Sequence, residues 1–264
     1  MAVRPLHYHL PLFPGFQLLD VAAPLEILNI RTQYPDTSAI TLTVSAATLD
    51  PVSVKPIPPA KAKWRFDLPA SNINTACNQQ MLPQSGKVAD DGSGEFKPID
   101  VLIIPGGPGT RLNRIYNTDT TFGEVKVPNT QELQNFLTAV APYVRHSIIT
   151  ICTGSHVLSQ TGLLDGRQVT TNSARYNDVT KQTGDVNWQR NKRWLRDVVP
   201  ENKVSDGLSL QPRIEIWSSA GITAGIDVML EFISAHYGGI EVGMETAKRM
   251  EYRWEREREA SYFL

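Results

Sequence analysis

The chain has 264 residues, enough to bury a full core and to shape a catalytic pocket without a partner. Its 26 basic and 27 acidic side chains leave a formal charge of −1, which excludes a general pull toward nucleic acid or anionic lipid. No run of 18 apolar residues occurs, the opening "MAVRPLHYHLPLFPGF" lacks an export signal's unbroken apolar core, and the only cysteines, Cys77 and Cys152, stand far apart in unlike contexts. The expectation is a cytoplasmic protein in a reducing compartment, with no membrane span and no disulfide framework.

In chain order, "PLHYHLPLF" at 5–13 reads as a first strand and "QLLDVAAPLEILNI" at 17–30 as a helix. The β-branched runs "AITLTVSAA" at 39–47, "IDVLIIPGG" at 99–107 and "HSIITICTG" at 146–154 read as strands. The last two end in glycine-bearing turns and are apolar on both faces, as buried parallel strands are. Helical patterns run over 130–144 and 154–164. A late strand turns into a helix within 212–239, and 241–261 predicts a charged amphipathic helix. Strand alternating with helix implies an α/β fold, a mostly parallel central sheet with helices on both faces. No repeat or linker interrupts it, so one domain is expected over 1–264, with loop insertions at 50–98, 111–129 and 184–211, the first rich in proline.

The chemistry-bearing candidates lie where strands run into turns. Cys152 sits between a strand and the small-residue turn "TGS", where ligands gather in open parallel sheets. A helix starting there would favour thiolate over thiol. The same position also suits a packed apolar cysteine, and the local pattern reads either way. The turn "PGGPG" at 105–109 offers backbone N–H groups as an oxyanion-type donor pair, or is simply a tight turn. Asp20, among apolar residues, is either a carboxyl held protonated as an acid or the N-cap of "VAAPLE" with Pro24 in the first turn; Glu26 would lie on the exposed face of that helix. His7 and His9 share a strand face but find no third metal ligand by spacing, so no metal site is expected. His156, four residues beyond Cys152, reads as a packed or exposed helix residue, and His146, His236 and Cys77 have no motif context.

The segments "FPGFQLLDVAAPLEIL", "IDVLIIPGGPGTR", "ITICTGSHVLSQTGLLDGRQVTTN" and "IWSSAGITAGIDVMLEFI" together resemble the ThiJ/PfpI superfamily, the class I glutamine-amidotransferase-like fold. They occur in that family's order over most of the chain. Aspartate in the first helix turn with "CTGS" at the cysteine turn is most similar to the isonitrile hydratase subgroup. The resemblance implies a flavodoxin-like sandwich, a homodimer and a small-molecule substrate. It assigns the nucleophile to Cys152, the acidic partner to Asp20 and a neighbouring hydroxyl to Thr153, with the Gly106 and Gly107 amides lining the pocket. Two positions depart from the family: Ala23 replaces a usual glycine, and Asn172 stands where many relatives carry histidine. Asparagine cannot act as a general base at neutral pH, which disfavours a Cys–His hydrolase.

The activity expected is hydration of an isonitrile to an N-substituted formamide through a thioimidate on Cys152. This chemistry needs neither metal nor organic cofactor. Asn172 would orient water, and Trp217 would add an apolar wall. A glyoxalase-type reaction on 2-oxoaldehydes, and a redox-sensing or chaperone-like role for the thiol, remain open as alternatives.

Overall fold

The chain is described by a computed structural model, which covers residues 4–68, 79–81, 98–117, 123–181, 183–199, 210 and 213–256. Cys77 lies outside these residues.

The apolar runs form one six-stranded sheet from β1 (His7–Pro11), β2 (Thr41–Ser45), β3 (Ile99–Ile104), β4 (Val144–Ile151), β5 (Trp194–Asp197) and β6 (Glu215–Ser219). Their spatial order is β5-β6-β4-β3-β1-β2. All pairs are parallel except β5 with β6. The middle strands β3 and β4 are buried along nearly their whole length, the burial that an unbroken β-branched run matches. Apart from the antiparallel edge strand, this is the doubly-wound flavodoxin-like order, with the active crevice expected beyond the carboxyl ends of the strands.

Helices α1 (Leu18–Arg31), α5 (Ile222–Tyr237) and α6 (Ile240–Arg249) pack together on one face, where Phe232 of α5 meets Tyr8 of β1. Helices α2 (Gln131–Val140) and α3 (Gly154–Ser159) pack on the other, where Phe136 stacks on His9. A short α4 (Tyr176–Thr180) follows the cysteine region. Among the described residues no helix is long and apolar enough to cross a membrane.

Several boundaries differ from the sequence reading. The segment 184–211, read as a loop, supplies β5, because Trp194 is buried on the rim of the sheet and stacks on Trp217. The region 111–129 holds the hairpin strands Asn113–Asn117 and Glu124–Pro128, which extend Trp64–Phe66 into a separate three-stranded sheet. The C-terminal helix stops at Arg249. Glu251 adopts φ +50° and the Tyr252 N–H bonds the Ala247 carbonyl, a Schellman-type stop that a hydropathy pattern does not reveal.

Candidate functional site

Three strand-to-helix turns meet at the carboxyl edge of the sheet, one each after β1, β3 and β4. Cys152 follows β4 directly and is held at φ +56°, a left-handed conformation that side chains other than glycine rarely adopt. Its peptide is pinned on both sides. The Cys152 N–H donates to the Ser219 carbonyl at 3.1 Å, and its own carbonyl accepts from the hydroxyls of Thr171 and Ser155 at 3.2 Å each. The turn is tight enough that a Cβ on Gly154 would lie 2.2 Å from the Ile104 carbonyl oxygen.

Cys152 is buried, 7% exposed. It accepts a hydrogen bond from Asn172 Nδ2 at 3.3 Å, and the Thr153 backbone N–H and hydroxyl also face it. These donors favour thiolate, but burial and then the Asp20 charge outweigh them, so the thiol is pushed up to about 12. Burial thus opposes the ionisation that the start of α3, a helix of six residues, would favour.

Asp20 is fully buried in the first turn of α1. It is not the N-cap, because the helix starts two residues earlier, and Pro24 consequently falls inside the helix. One carboxylate oxygen accepts the Gly106 N–H at 3.0 Å, while the other has no partner. Burial raises the carboxyl to about 7, against the opposing pull of the Gly106 bond. Of the two readings of Asp20, a carboxyl held toward its protonated form fits this geometry.

The glycine turn links these groups. Gly106 N–H is engaged by Asp20, and Gly107 N–H donates to Thr153 Oγ1 at 3.1 Å. Both donors are thus occupied, which of the two readings favours the tight turn over an oxyanion-type donor pair: they position the acid and the hydroxyl. Gly107 sits at φ +137°, and a Cβ there would lie 2.5 Å from the Gln17 nitrogen. Thr110 Oγ1 lies 2.9 Å from Thr153 Oγ1, completing the junction.

The structure thus brings Cys152, Thr153, Asp20, Gly106, Gly107 and Asn172 to one place. It does not bring Trp217 there. That ring is buried at the β6–α5 contact, packed on Trp194, Phe232 and His236 with its Nε1 donating to Glu215, so the apolar wall expected of it is corrected to a core contact. His156 is buried and held neutral, down to about 4, by desolvation and then by Arg111, and its ring makes no hydrogen bond to Cys152. His7 and His9 bond Thr43 and Ser45 across the strand pair. His146, His236 and Glu215 cluster at the far, amino-terminal end of β4 and β6.

Two residues at the site escaped the sequence reading, Thr110 and Arg111 of the turn Pro108–Arg111. Arg111 is half-buried and lies within electrostatic reach of Cys152. The available signal was position alone, a polar pair immediately after a glycine turn at a strand's carboxyl end. Beside Asn172 opens a cavity of about 500 Å3, walled by Ser173, Ala174, Ala220, Gly221, Ile222 and Ala224 among others.

No protein-family model matches the chain. It is 24% identical over 242 residues to isonitrile hydratase of Pseudomonas putida, which covers 91% of this chain and 76% of that one. Among solved structures it is similar to a ThiJ/PfpI family protein from Pseudomonas syringae, with TM-score 0.55, 17% identity and coverage of 95% of this chain and 76% of the other. It is also similar to Drosophila melanogaster DJ-1beta, with TM-score 0.53, 16% identity and coverage of 95% and 100%.

Proposed function

For a chain that is homologous to isonitrile hydratase over most of its length and has the ThiJ/PfpI and DJ-1 fold, we propose a cysteine-dependent hydratase that converts an isonitrile to an N-substituted formamide. One observation carries this reading. A strained, donor-surrounded Cys152 lies within electrostatic reach of a buried carboxyl raised to about 7, and its sulfur faces the Asn172 amide rather than an imidazole base.

In the first step Sγ bonds to the terminal carbon of the isonitrile, and the thiol proton passes by way of Asp20 to that same carbon. The carbon–nitrogen triple bond becomes the double bond of a thioimidate. Water then adds to the carbon, and a proton moves through Asp20 to the nitrogen. The carbon–sulfur bond breaks with return of a proton to sulfur. The sum is one isonitrile plus one water to one formamide, with no net oxidation. Asp20 suits both transfers because burial raises its carboxyl to about 7, and a group so placed gives and takes a proton with comparable ease near neutral pH. Its unpartnered oxygen supplies the lone pair or proton. Asn172, which donates but cannot titrate, orients water and stabilises sulfur as it leaves.

The test is formation of formamide from aliphatic isonitriles by the purified protein. Turnover that Cys152→Ala abolishes is expected; no turnover across a series of isonitriles of different size and charge would overturn the proposal.

A further inference from the structure

Among the described residues five arginines are not solvent-exposed, and four of them pair with carboxylates. Arg31 meets Asp36 and Glu245, Arg114 meets Glu132, Arg167 meets Asp197 and Arg193 meets Asp227. Arg111 is the exception. It is half-buried, yet makes no hydrogen bond or ion pair with the described residues. It lies within electrostatic reach of a second cation, Arg175, of Cys152 and, last, of Asp178, a carboxylate already paired with Arg175 at 3.6 Å. Its withdrawal from water and the like charge of Arg175 outweigh the pull of Cys152 and Asp178, so an anion in direct contact with the guanidinium would be favoured. Its planar fork matches a carboxylate.

Its location ties this vacancy to the reacting sulfur. Arg111 ends the turn Pro108–Arg111, one residue after Thr110, whose hydroxyl touches Thr153 beside Cys152. The turn is fixed in place: a Cβ on Gly109 would lie 2.1 Å from the Pro14 carbonyl oxygen. The geometry points to Arg111 as a specificity-determining residue that binds a carboxylate carried by the substrate, with Arg175 adding to the attraction. Resting on the hydration proposed above, this makes the substrate class isonitriles that bear a carboxylate.

Alkylation of Cys152 tests the anion site without depending on turnover. Iodoacetate and iodoacetamide are similar in size and differ in charge, so the ratio of their rates reports the local field, while any change in thiol acidity affects both alike. Mass spectrometry of the peptide carrying Cys152 separates its reaction from that of Cys77. The iodoacetate-to-iodoacetamide ratio is expected to fall about tenfold or more in Arg111→Gln and to be largely retained in Arg111→Lys. A ratio unchanged by Arg111→Gln, or lost equally in Arg111→Lys, overturns the proposal. With substrates, the carboxylated isonitrile should show a KM at least tenfold below that of its methyl ester, and Arg111→Gln should erase the difference. A charge-dependent alkylation ratio without turnover of any isonitrile leaves the anion site standing and removes the hydration reading. Turnover with no preference for the acid does the reverse.

Discussion

The Asp20 charge opposes ionisation of Cys152, and this makes substitution of Asp20 informative in two opposite directions. Removing the Asp20 charge takes away the second largest influence raising the thiol, so Asp20→Asn should speed alkylation of Cys152 by iodoacetamide while slowing isonitrile turnover about 100-fold or more. A parallel loss of both would argue against a proton-transfer role. The same carboxyl leaves a mark on stability. Its folded value, about 7, lies above its ordinary 3.8. The folded state therefore binds the proton more tightly, and the stabilisation is fully present below pH 3.8 and lost as pH rises through 7. Asp20→Asn, which can still accept from Gly106, should thus be more stable than the parent at pH 8, by on the order of 4 kcal/mol. The gain should shrink as pH falls and vanish near pH 4 in denaturant titrations. Asn172→Ala deletes a donor to sulfur, which should raise the thiol further and slow alkylation at pH 8 about tenfold. At this scale Cys152 and Asp20 were legible as types in context, a cysteine ending a β-branched run and an acid in an apolar stretch. Arg111 was not, because what singles it out is a missing partner in space.

The elements that carry these residues are defined by how closely their turns approach. Gly154 admits no side chain: even one methyl would collide with the Ile104 carbonyl, a backbone atom that cannot swing away. Gly154→Ala should cost about 3 kcal/mol or more and lower the melting temperature by roughly 6–12 °C in thermal denaturation. The central strands and α1, α2 and α5 were readable because burial on one or both faces leaves a strong period in the sequence. The edge strand β5 was not. It spans four residues, carries Arg196 and Asp197, and owes its place to Trp194 packing on Trp217 across the pair. The end of α6 likewise rests on one left-handed residue, Glu251.

For the whole molecule, Arg167 straps the segment after α3 to the far rim of the sheet. It is 1% exposed, binds Asp197 of β5 at 2.5 Å and donates to the Ile214 carbonyl at 2.8 Å. Arg167→Ala leaves a carboxylate with little water around it and no partner, so a loss of about 3–5 kcal/mol is expected from chemical denaturation. The mostly parallel sheet followed from the alternation of strands and helices, whereas this strap joins residues 30 positions apart that no local pattern connects.

The antiparallel edge has a bearing on how copies of the chain meet. A sheet can recruit further strands through the unpaired amides of its rim, the route by which β proteins stack and aggregate. Here the outermost strand is only four residues long, and its charged side chains are already committed, Arg196 to Glu215 and Asp197 to Arg167. An incoming strand would meet a short edge and would have to displace two ion pairs, which makes this rim a poor template for edge-to-edge growth.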